Sequence, residues 1–220
     1  LGRFDTTTHF VGIGGSGMSG IARILIQKGC KVTGSDLKMT PVTAALERLG
    51  AKVYEGHKQE NLQGDVGQLV VSTAIPSSNP EVLEARRRGI PVVHRGDMLA
   101  KLMEGSKGIT VAGAHGKTTI TSMISLCLEQ AGLDPTMVIG GELRNIGANA
   151  KLGQGEFFVA EADESDGSFL KLKPYIAVVS NVEDDHLDYY ETVENIARAF
   201  RQYIQNVRSD GFSVLCVDAP

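Results

Sequence analysis

Five apolar runs alternate with three amphipathic segments along the first hundred residues. The runs predict buried strands over residues 9–13, 31–36, 52–56, 68–73 and 91–95. Between them, apolar positions three or four residues apart predict helices over 16–29, 41–50 and 79–88. The inward positions of the first helix are predicted to be Ile21, Ile24, Leu25 and Lys28. Strands that alternate with helices are typical of a parallel, doubly wound sheet, so the sequence predicts a Rossmann-like α/β domain.

A second cycle of the same pattern begins at Ile109, after the polar stretch 104–108. Its apolar runs predict strands over 109–114, 157–160, 175–179 and 212–219. The segment 117–131 predicts a helix with an apolar face made of Ile120, Met123, Ile124, Cys127, Leu128 and Ala131. We therefore place a domain boundary near residue 105, with one domain over 1–105 and part of a second over 106–220.

Charge and cysteine usage exclude several classes of protein. The net charge is −4, and the single basic triplet, Arg86 to Arg88, is too small a positive face for nucleic acid or an anionic membrane. No run approaches the roughly 18 apolar residues of a membrane span, and the N-terminus lacks a signal-peptide pattern, so we expect a cytoplasmic protein. Cys30, Cys127 and Cys216 are far apart in apolar stretches and are expected to be buried free thiols.

The first strand leads into a glycine-rich turn, HFVGIGGSGMSGIA (residues 9–22). Gly12, Gly14 and Gly17 form a Gly-x-Gly-x-x-Gly pattern, and Asp36 ends the next strand. This arrangement places a diphosphate on a helix N-terminus and a ribose hydroxyl on an acid. The turn alone leaves three alternatives open: an NAD-dependent oxidoreductase, another diphosphate ligand, or a plain structural turn.

A second glycine loop, TVAGAHGKTT (residues 110–119), ends in the Gly-Lys-Thr of a phosphate-binding loop. Val111 stands where the usual spacing has its first glycine, so the loop is a variant. Free N–H groups and the helix dipole attract phosphate here, Lys117 adds a positive charge, and a threonine hydroxyl is a usual Mg²⁺ ligand. The loop therefore predicts a nucleoside triphosphate site.

Polar side chains follow the next two strands directly. Glu161 ends one strand, and the stretch 181–186, which includes His186, follows the other. Because the carboxyl ends of parallel strands share one edge of a sheet, Thr118, Glu161 and His186 are expected to converge there. Oxygen ligands and an imidazole beside polyphosphate indicate a divalent metal.

These motifs resemble the Mur ligase family, ATP-dependent enzymes that add amino acids to the cytoplasmic peptidoglycan precursor. The resemblance covers nearly the whole chain from His9, through HFVGIGGSGMSGIA, GSD, AGAHGKTT, EADESDGSF and SNVEDDHLDYY in family order. It implies that the first domain holds a UDP-sugar and the second holds ATP. The motifs are most similar to the branch that joins L-alanine to UDP-N-acetylmuramate. The branch that attaches a recycled tripeptide usually has an aromatic residue where Ser165 stands.

The resemblance also implies roles for individual residues. The ATP-binding residues would be Gly113, Ala114, His115, Gly116, Lys117, Thr118 and Thr119. Catalysis would involve Lys117, Glu161 and His186, and Mg²⁺ would be held by Thr118, Glu161 and His186. The UDP-sugar would meet Gly14, Ser16, Gly17, Met18, Asp36, His57, Ser72 and Thr73. Ala114 replaces the usual family threonine, which removes one side-chain contact but keeps the backbone loop.

The implied reaction passes through an acyl phosphate and needs no protein nucleophile. Because family members continue beyond the position of Pro220, we expect this chain alone to bind both ligands without turnover. A non-catalytic nucleotide-sensing module is a further alternative. Amino acid specificity and oligomeric state are left open.

Overall fold

The computed structural model describes residues 6–143 and 145–218. The chain forms two compact units that divide between Met98 and Leu99. This division lies inside a helix, Arg95–Met103, that the hydrophobic pattern did not predict. The boundary expected near residue 105 falls just after that helix.

The first unit is built on a five-stranded parallel sheet, as predicted. Its strands are Thr7–Val11 (β1), Val32–Asp36 (β2), Lys52–Glu55 (β3), Val66–Val71 (β4) and Val92–His94 (β5). They are arranged in the order β3-β2-β1-β4-β5. The chain reverses its direction of winding between β1 and β4, and such a point opens a ligand crevice at the carboxyl ends of the strands.

The first three helices of this unit begin close to their predicted positions, and a fourth was not predicted. They are Ser16–Gln27 (α1), Pro41–Arg48 (α2), Pro80–Arg87 (α3) and, across the division, Arg95–Met103 (α4). Ile21, Ile24 and Leu25 of α1 are buried as expected. The inward placement of Lys28 is wrong: this residue is the exposed C-cap of α1, where an ammonium group keeps its hydration.

The second unit is built on a six-stranded sheet. Its strands are Lys107–Ala112 (β6), Thr136–Leu143 (β7), Ala148–Lys151 (β8), Phe157–Glu161 (β9), Ile176–Val179 (β10) and Phe212–Leu215 (β11). They are arranged in the order β11-β10-β6-β9-β7-β8. The pairings are parallel except for β8, which runs antiparallel to β7. The sequence pattern did not predict β7 and β8, because glycines interrupt the apolar run of β7.

The helices of this unit are Lys117–Gln130 (α5), Leu187–Tyr190 (α6) and Val193–Gln205 (α7). The predicted apolar face of α5 is wrong in part. Its fully buried residues are Thr121 and Ser125, and Met123 is 62% exposed. Ile120, Ile124 and Leu128 are half-buried. Small hydroxyl side chains let α5 approach β6, β7 and β9 closely. The helix α7 was not predicted. It buries Phe200 and Tyr203 against the sheet.

The cysteine prediction is also wrong in part. All three thiols are free, but Cys30 is half-buried and the other two are exposed. Cys127 lies on the exposed side of α5, and Cys216 follows the edge strand β11. Within the part of the chain that the structure describes, no helix has the length and apolar character needed to cross a membrane.

Candidate functional sites

The glycine loop of the first unit is held against the end of β2. The backbone N–H groups of Gly12 and Ile13 donate to the carbonyl of Ser35, at 2.8 and 3.0 Å. The N–H of Gly14 donates to Oδ2 of Asp36 at 2.8 Å. Asp36 therefore fixes the loop that precedes α1. A positive φ of 77° at Gly12 is a backbone conformation that favours glycine.

The N-terminus of α1 opens directly from this loop. Its N-cap is Gly15, which has no side chain to occupy the first N–H groups of the helix. Those groups belong to Ser16, Gly17 and Met18, which are three of the predicted diphosphate contacts. The side chain of Met18 is buried at 3% exposure, so a contact from this residue would come from its backbone N–H. The helix dipole adds a further attraction for an anion.

Arg95 lies beside the same loop and escaped the sequence analysis. A Cβ on Gly17 would stand 3.2 Å from Nη1 of Arg95. The guanidinium thus borders the first turn of α1, where it adds a positive charge with a fork geometry suited to phosphate. Arg95 is a single arginine at the end of a predicted strand, and nothing in the sequence pattern marks it as a phosphate contact.

His57 belongs to a buried polar cluster at the end of β2. Ser35 Oγ donates to Oε2 of Glu81 at 2.6 Å, and because a hydroxyl has one proton, His57 Nδ1–H donates to Ser35 Oγ at 2.8 Å. Burial would raise the pKa of Glu81, but the nearby His9 ring, with Nε2 3.7 Å from Oε2, and hydrogen bonds from Ser35 and Asn61 outweigh it and hold that pKa below its usual range. The anionic Glu81 therefore orients the Ser35 hydroxyl, and through it the His57 ring.

Ser72 and Thr73 follow β4 at the carboxyl edge of the sheet. The carbonyl of Ser72 accepts a hydrogen bond from the N–H of Ile75 at 3.1 Å, which begins a turn. Thr73 is exposed. These two residues, Asp36 and the glycine loop all lie at strand ends on the crevice side of the sheet.

In the second unit, the loop after β6 is closely packed by residues that follow β10. Gly113 has a φ of 132°, and a Cβ at this position would overlap Oγ of Ser180. Ser180 Oγ donates to the carbonyl of His115 at 2.6 Å, and His115 N–H donates to Oδ1 of Asn181 at 2.9 Å. The loop conformation therefore depends on glycine and on two polar side chains from the neighbouring strand.

Gly116 is the N-cap of α5, with a φ of 83°, so the first N–H groups of this helix also lack a capping side chain. They belong to Lys117, Thr118 and Thr119. The side chain of Lys117 folds back into the loop, where Nζ donates to the carbonyl of Gly113 at 2.6 Å. The geometry offers backbone donors, a helix dipole and an ammonium group around one space, as polyphosphate recognition requires.

Glu164 also contacts Lys117, and the sequence analysis gave it no role. Its Oε1 accepts a hydrogen bond from Lys117 Nζ at 2.6 Å, and its side chain is only 4% exposed. Tyr190 Oη donates to the backbone carbonyl of Glu164 at 2.6 Å. Burial raises the pKa of Tyr190, so the phenol keeps its proton and remains a donor. Among a run of acids in EADESD, the sequence carried no signal that would single out this one.

The three predicted metal ligands contact different neighbours. Glu161 Oε1 accepts a hydrogen bond from Gly140 N–H at 2.6 Å, and a Cβ on Gly141 would lie 3.4 Å from Cγ2 of Thr118. Thr118 and Glu161 therefore both border the two glycines of β7. His186 lies beside Glu164, with Nε2 3.7 Å from Oε1 of that carboxylate.

The donor chemistry here fits Mg²⁺. Within residues 6–143 and 145–218, no three His, Cys, Asp or Glu side chains group closely enough to form a metal site by themselves. Mg²⁺ usually takes one or two protein oxygens and completes its shell with phosphate oxygens and water. The Thr118 hydroxyl and the second oxygen of Glu161 match that requirement.

Two family models match the chain. One, described as the catalytic domain of the Mur ligase family, matches residues 7–117, and the Mur ligase middle domain matches residues 111–220. The chain belongs to the Mur ligase family. Both glycine loops fall inside the matched ranges, so the resemblance seen in the motifs is confirmed at the level of the family.

The chain spans about half the length of the curated relatives that it matches. The UDP-N-acetylmuramate–L-alanine ligase of Pelotomaculum thermopropionicum is 62% identical over 212 residues, which are 96% of this chain and 46% of that protein. A UDP-N-acetylmuramate-alanine ligase structure from Thermotoga maritima has a TM-score of 0.88 at 30% identity, covering 97% of this chain and 50% of that one. The UDP-N-acetylmuramate:L-alanyl-gamma-D-glutamyl-meso-diaminopimelate ligase of Neisseria meningitides has a TM-score of 0.89 at 32% identity, covering 96% and 71%. These matches confirm the predicted α/β fold.

Proposed function

We propose that the protein is an ATP-dependent ligase that joins L-alanine to UDP-N-acetylmuramate, with the UDP-sugar on the first unit and ATP on the second. One observation carries the proposal: each unit has its own uncapped helix N-terminus behind a glycine loop, and only the second loop holds a lysine. Two such anion sites fit a reaction between two phosphate-bearing substrates. The 62% identity to the Pelotomaculum enzyme supports L-alanine as the amino acid.

The chemistry of such a ligase needs charge neutralisation more than it needs a nucleophilic side chain. The lactyl carboxylate of the sugar attacks the γ-phosphorus of ATP, and ADP leaves. The alanine amine then attacks the acyl carbon of the resulting acyl phosphate, inorganic phosphate leaves and the nitrogen loses a proton. Because the first step joins two anions, Lys117 and the N-terminus of α5 would stabilise the charge on the transferred phosphoryl group.

Mg²⁺ would lower the negative charge of the polyphosphate when bound. Thr118 and Glu161 would hold it beside the loop, and His186 would act near Glu164, on the side of the loop where Lys117 points. Both substrates of this proposal are cytoplasmic metabolites, which supports a cytoplasmic location.

Calorimetry with the chain tests the binding half of the proposal. We expect UDP-N-acetylmuramate to bind, and NADH to bind far more weakly. An NAD-dependent oxidoreductase would give the reverse order. ATP binding that persists when UDP-N-acetylmuramate is already saturating would support separate sites, and mutual exclusion would contradict them.

The related ligase that attaches a tripeptide is the second candidate, because the Neisseria structure matches this backbone as well as the Thermotoga one does. Ser165, where that branch usually has an aromatic residue, favours the alanine enzyme. The full-length protein decides between them: ADP release that depends on L-alanine supports our proposal, and release that depends on the tripeptide overturns the choice of amino acid.

A further inference from the structure

Three protein acceptors surround the ammonium group of the lysine in the phosphate loop. Lys117 Nζ donates to the carbonyl of Gly113 and to Oε1 of Glu164, both at 2.6 Å, and lies 3.4 Å from the carbonyl of Ala114. An ammonium group has three protons, so these acceptors account for all of its donors. A polyphosphate that takes Lys117 must therefore displace at least one of them.

Glu164 is fixed in place by its backbone. Its carbonyl accepts hydrogen bonds from Tyr190 Oη at 2.6 Å and from Gly167 N–H at 3.1 Å. The side chain is 4% exposed, so it cannot exchange Lys117 for water easily. Lys117 is the more exposed partner, at 19% against 4% for Glu164, so it is the side chain that a ligand reaches first.

The second oxygen of Glu164 is buried and has no hydrogen-bond partner among the residues that the structure describes. The ring of His186 also lies close, with Nε2 3.7 Å from Oε1. A buried carboxylate with so few donors depends on Lys117 for most of its stabilisation. A bound phosphate would meet this carboxylate as an uncompensated like charge.

We propose that Glu164 is a positioning residue that holds Lys117 inside the loop and thereby disfavours polyphosphate that arrives without a divalent metal. Metal-free ATP both withdraws Lys117 from Glu164 and brings more negative charge towards the carboxylate. A metal ion on the nucleotide offsets part of that charge, so the penalty is smaller. The loop therefore selects the metal-loaded nucleotide. This inference rests on the proposed role of the second loop as a polyphosphate site.

The test is the affinity of the chain for a non-hydrolysable ATP analogue, measured by calorimetry in EDTA and again in Mg²⁺. We expect Glu164→Gln to tighten metal-free binding about tenfold, within the range of coupling between contacting charged residues. In Mg²⁺ the gain is expected to fall below about threefold, since the metal already offsets phosphate charge. Glu156→Gln is the control, because it removes an exposed carboxylate of the same unit that pairs with Lys107, and it should leave both affinities unchanged.

A structural role alone would weaken binding or leave it unaltered, so a gain confined to metal-free nucleotide is the diagnostic result. Tyr190→Phe provides a second variant if Glu164→Gln does not fold: it releases the Glu164 carbonyl, and we expect a smaller gain in the same direction. If the wild type binds the analogue but neither variant binds it more tightly in EDTA, the inference is overturned and the proposed function is unaffected. If wild type and variants all fail to bind the analogue in either condition, the proposed function falls, and the inference with it.

Discussion

The backbone N–H of Gly14 donates a hydrogen bond of 2.8 Å to Oδ2 of Asp36. The last residue of β2 thereby fixes the loop that connects β1 to α1. A Cβ on Gly14 would lie 2.9 Å from the same oxygen, so the contact also needs glycine. Asp36 acts on the ligand crevice through the loop, in addition to any contact of its own with a sugar.

Exchanging Asp36 separates these two roles. Asp36→Asn keeps an oxygen acceptor for Gly14 and is expected to retain most of the affinity for UDP-N-acetylmuramate, whereas Asp36→Ala should lose about tenfold, the equivalent of one charge-assisted hydrogen bond. ATP affinity should not change in either variant. Calorimetry measures the affinity of each variant for each of the two ligands. Equal losses in the Asn and Ala variants would show that the carboxylate contacts the ligand directly and that holding the loop is secondary.

Gly113 is the most constrained position of the second loop. Gly113→Ala forces an L-residue to a φ of 132° and against Ser180, so we expect a loss of about 1–3 kcal/mol in the free energy of unfolding and loss of measurable ATP binding. Gly132→Ala is the matched control, since its φ is 73° but nothing lies within 4 Å of the added carbon. It should cost about 1 kcal/mol and preserve ATP binding. Urea unfolding and calorimetry check both, and normal ATP binding by Gly113→Ala would contradict the account of the loop.

The metal ligands can be tested by titration. Glu161→Gln removes an anionic oxygen beside the glycines of β7, and we expect a weaker Mg²⁺ midpoint when an ATP analogue is present. His186→Ala should produce a smaller shift, because His186 lies beside Glu164, whereas Glu161 is the acid that contacts the β7 glycine Gly140. Glu194→Gln, an exposed change at the start of α7, serves as control. Midpoints that match wild type in both test variants would mean that neither residue binds the metal.

The Glu81 cluster gives the stability of the chain a defined pH dependence. The pKa of Glu81 is held below its ordinary value of 4.5, so its ionised form stabilises the fold above that pH, and the contribution is lost as the pH falls through the lower folded value. Glu81→Gln should cost about 1–3 kcal/mol at pH 7, because the amide cannot accept from all of its donors. Urea unfolding at several pH values should show this deficit shrinking below pH 4.5. A deficit that stays constant or grows in acid would contradict the assignment.

The sequence predicted best where local and long-range signals agree. Gly12, Gly14 and Asp36 combine a glycine pattern with a strand end, and the fold brings the three together. The helix α5 shows the opposite case, because its buried positions are Thr121 and Ser125, while its periodic apolar residues are half-buried or exposed. Its register is set by the phosphate loop at its start and by close packing, neither of which hydrophobic periodicity detects.

Long-range side-chain contacts account for most of what was missed in the candidate sites. Ser180 is remote in sequence from the loop that it holds, and Glu164 meets Lys117 only because β9 and β6 are neighbours. Gly140 lies in a strand that was not predicted, although a glycine pair after an apolar run hinted at a close approach of backbone and ligand. Such contacts depend on the strand order, which local pattern does not determine.

We assign the two loops to two different ligands, and Lys117→Ala is the variant that separates them. Calorimetry of this variant with each ligand should show that the ATP analogue no longer binds measurably, because the only lysine of either loop has been removed. UDP-N-acetylmuramate should bind with an affinity within about twofold of wild type, since that ligand is assigned to the other unit. Loss of both ligands together, in a variant that remains folded by circular dichroism, would contradict the claim.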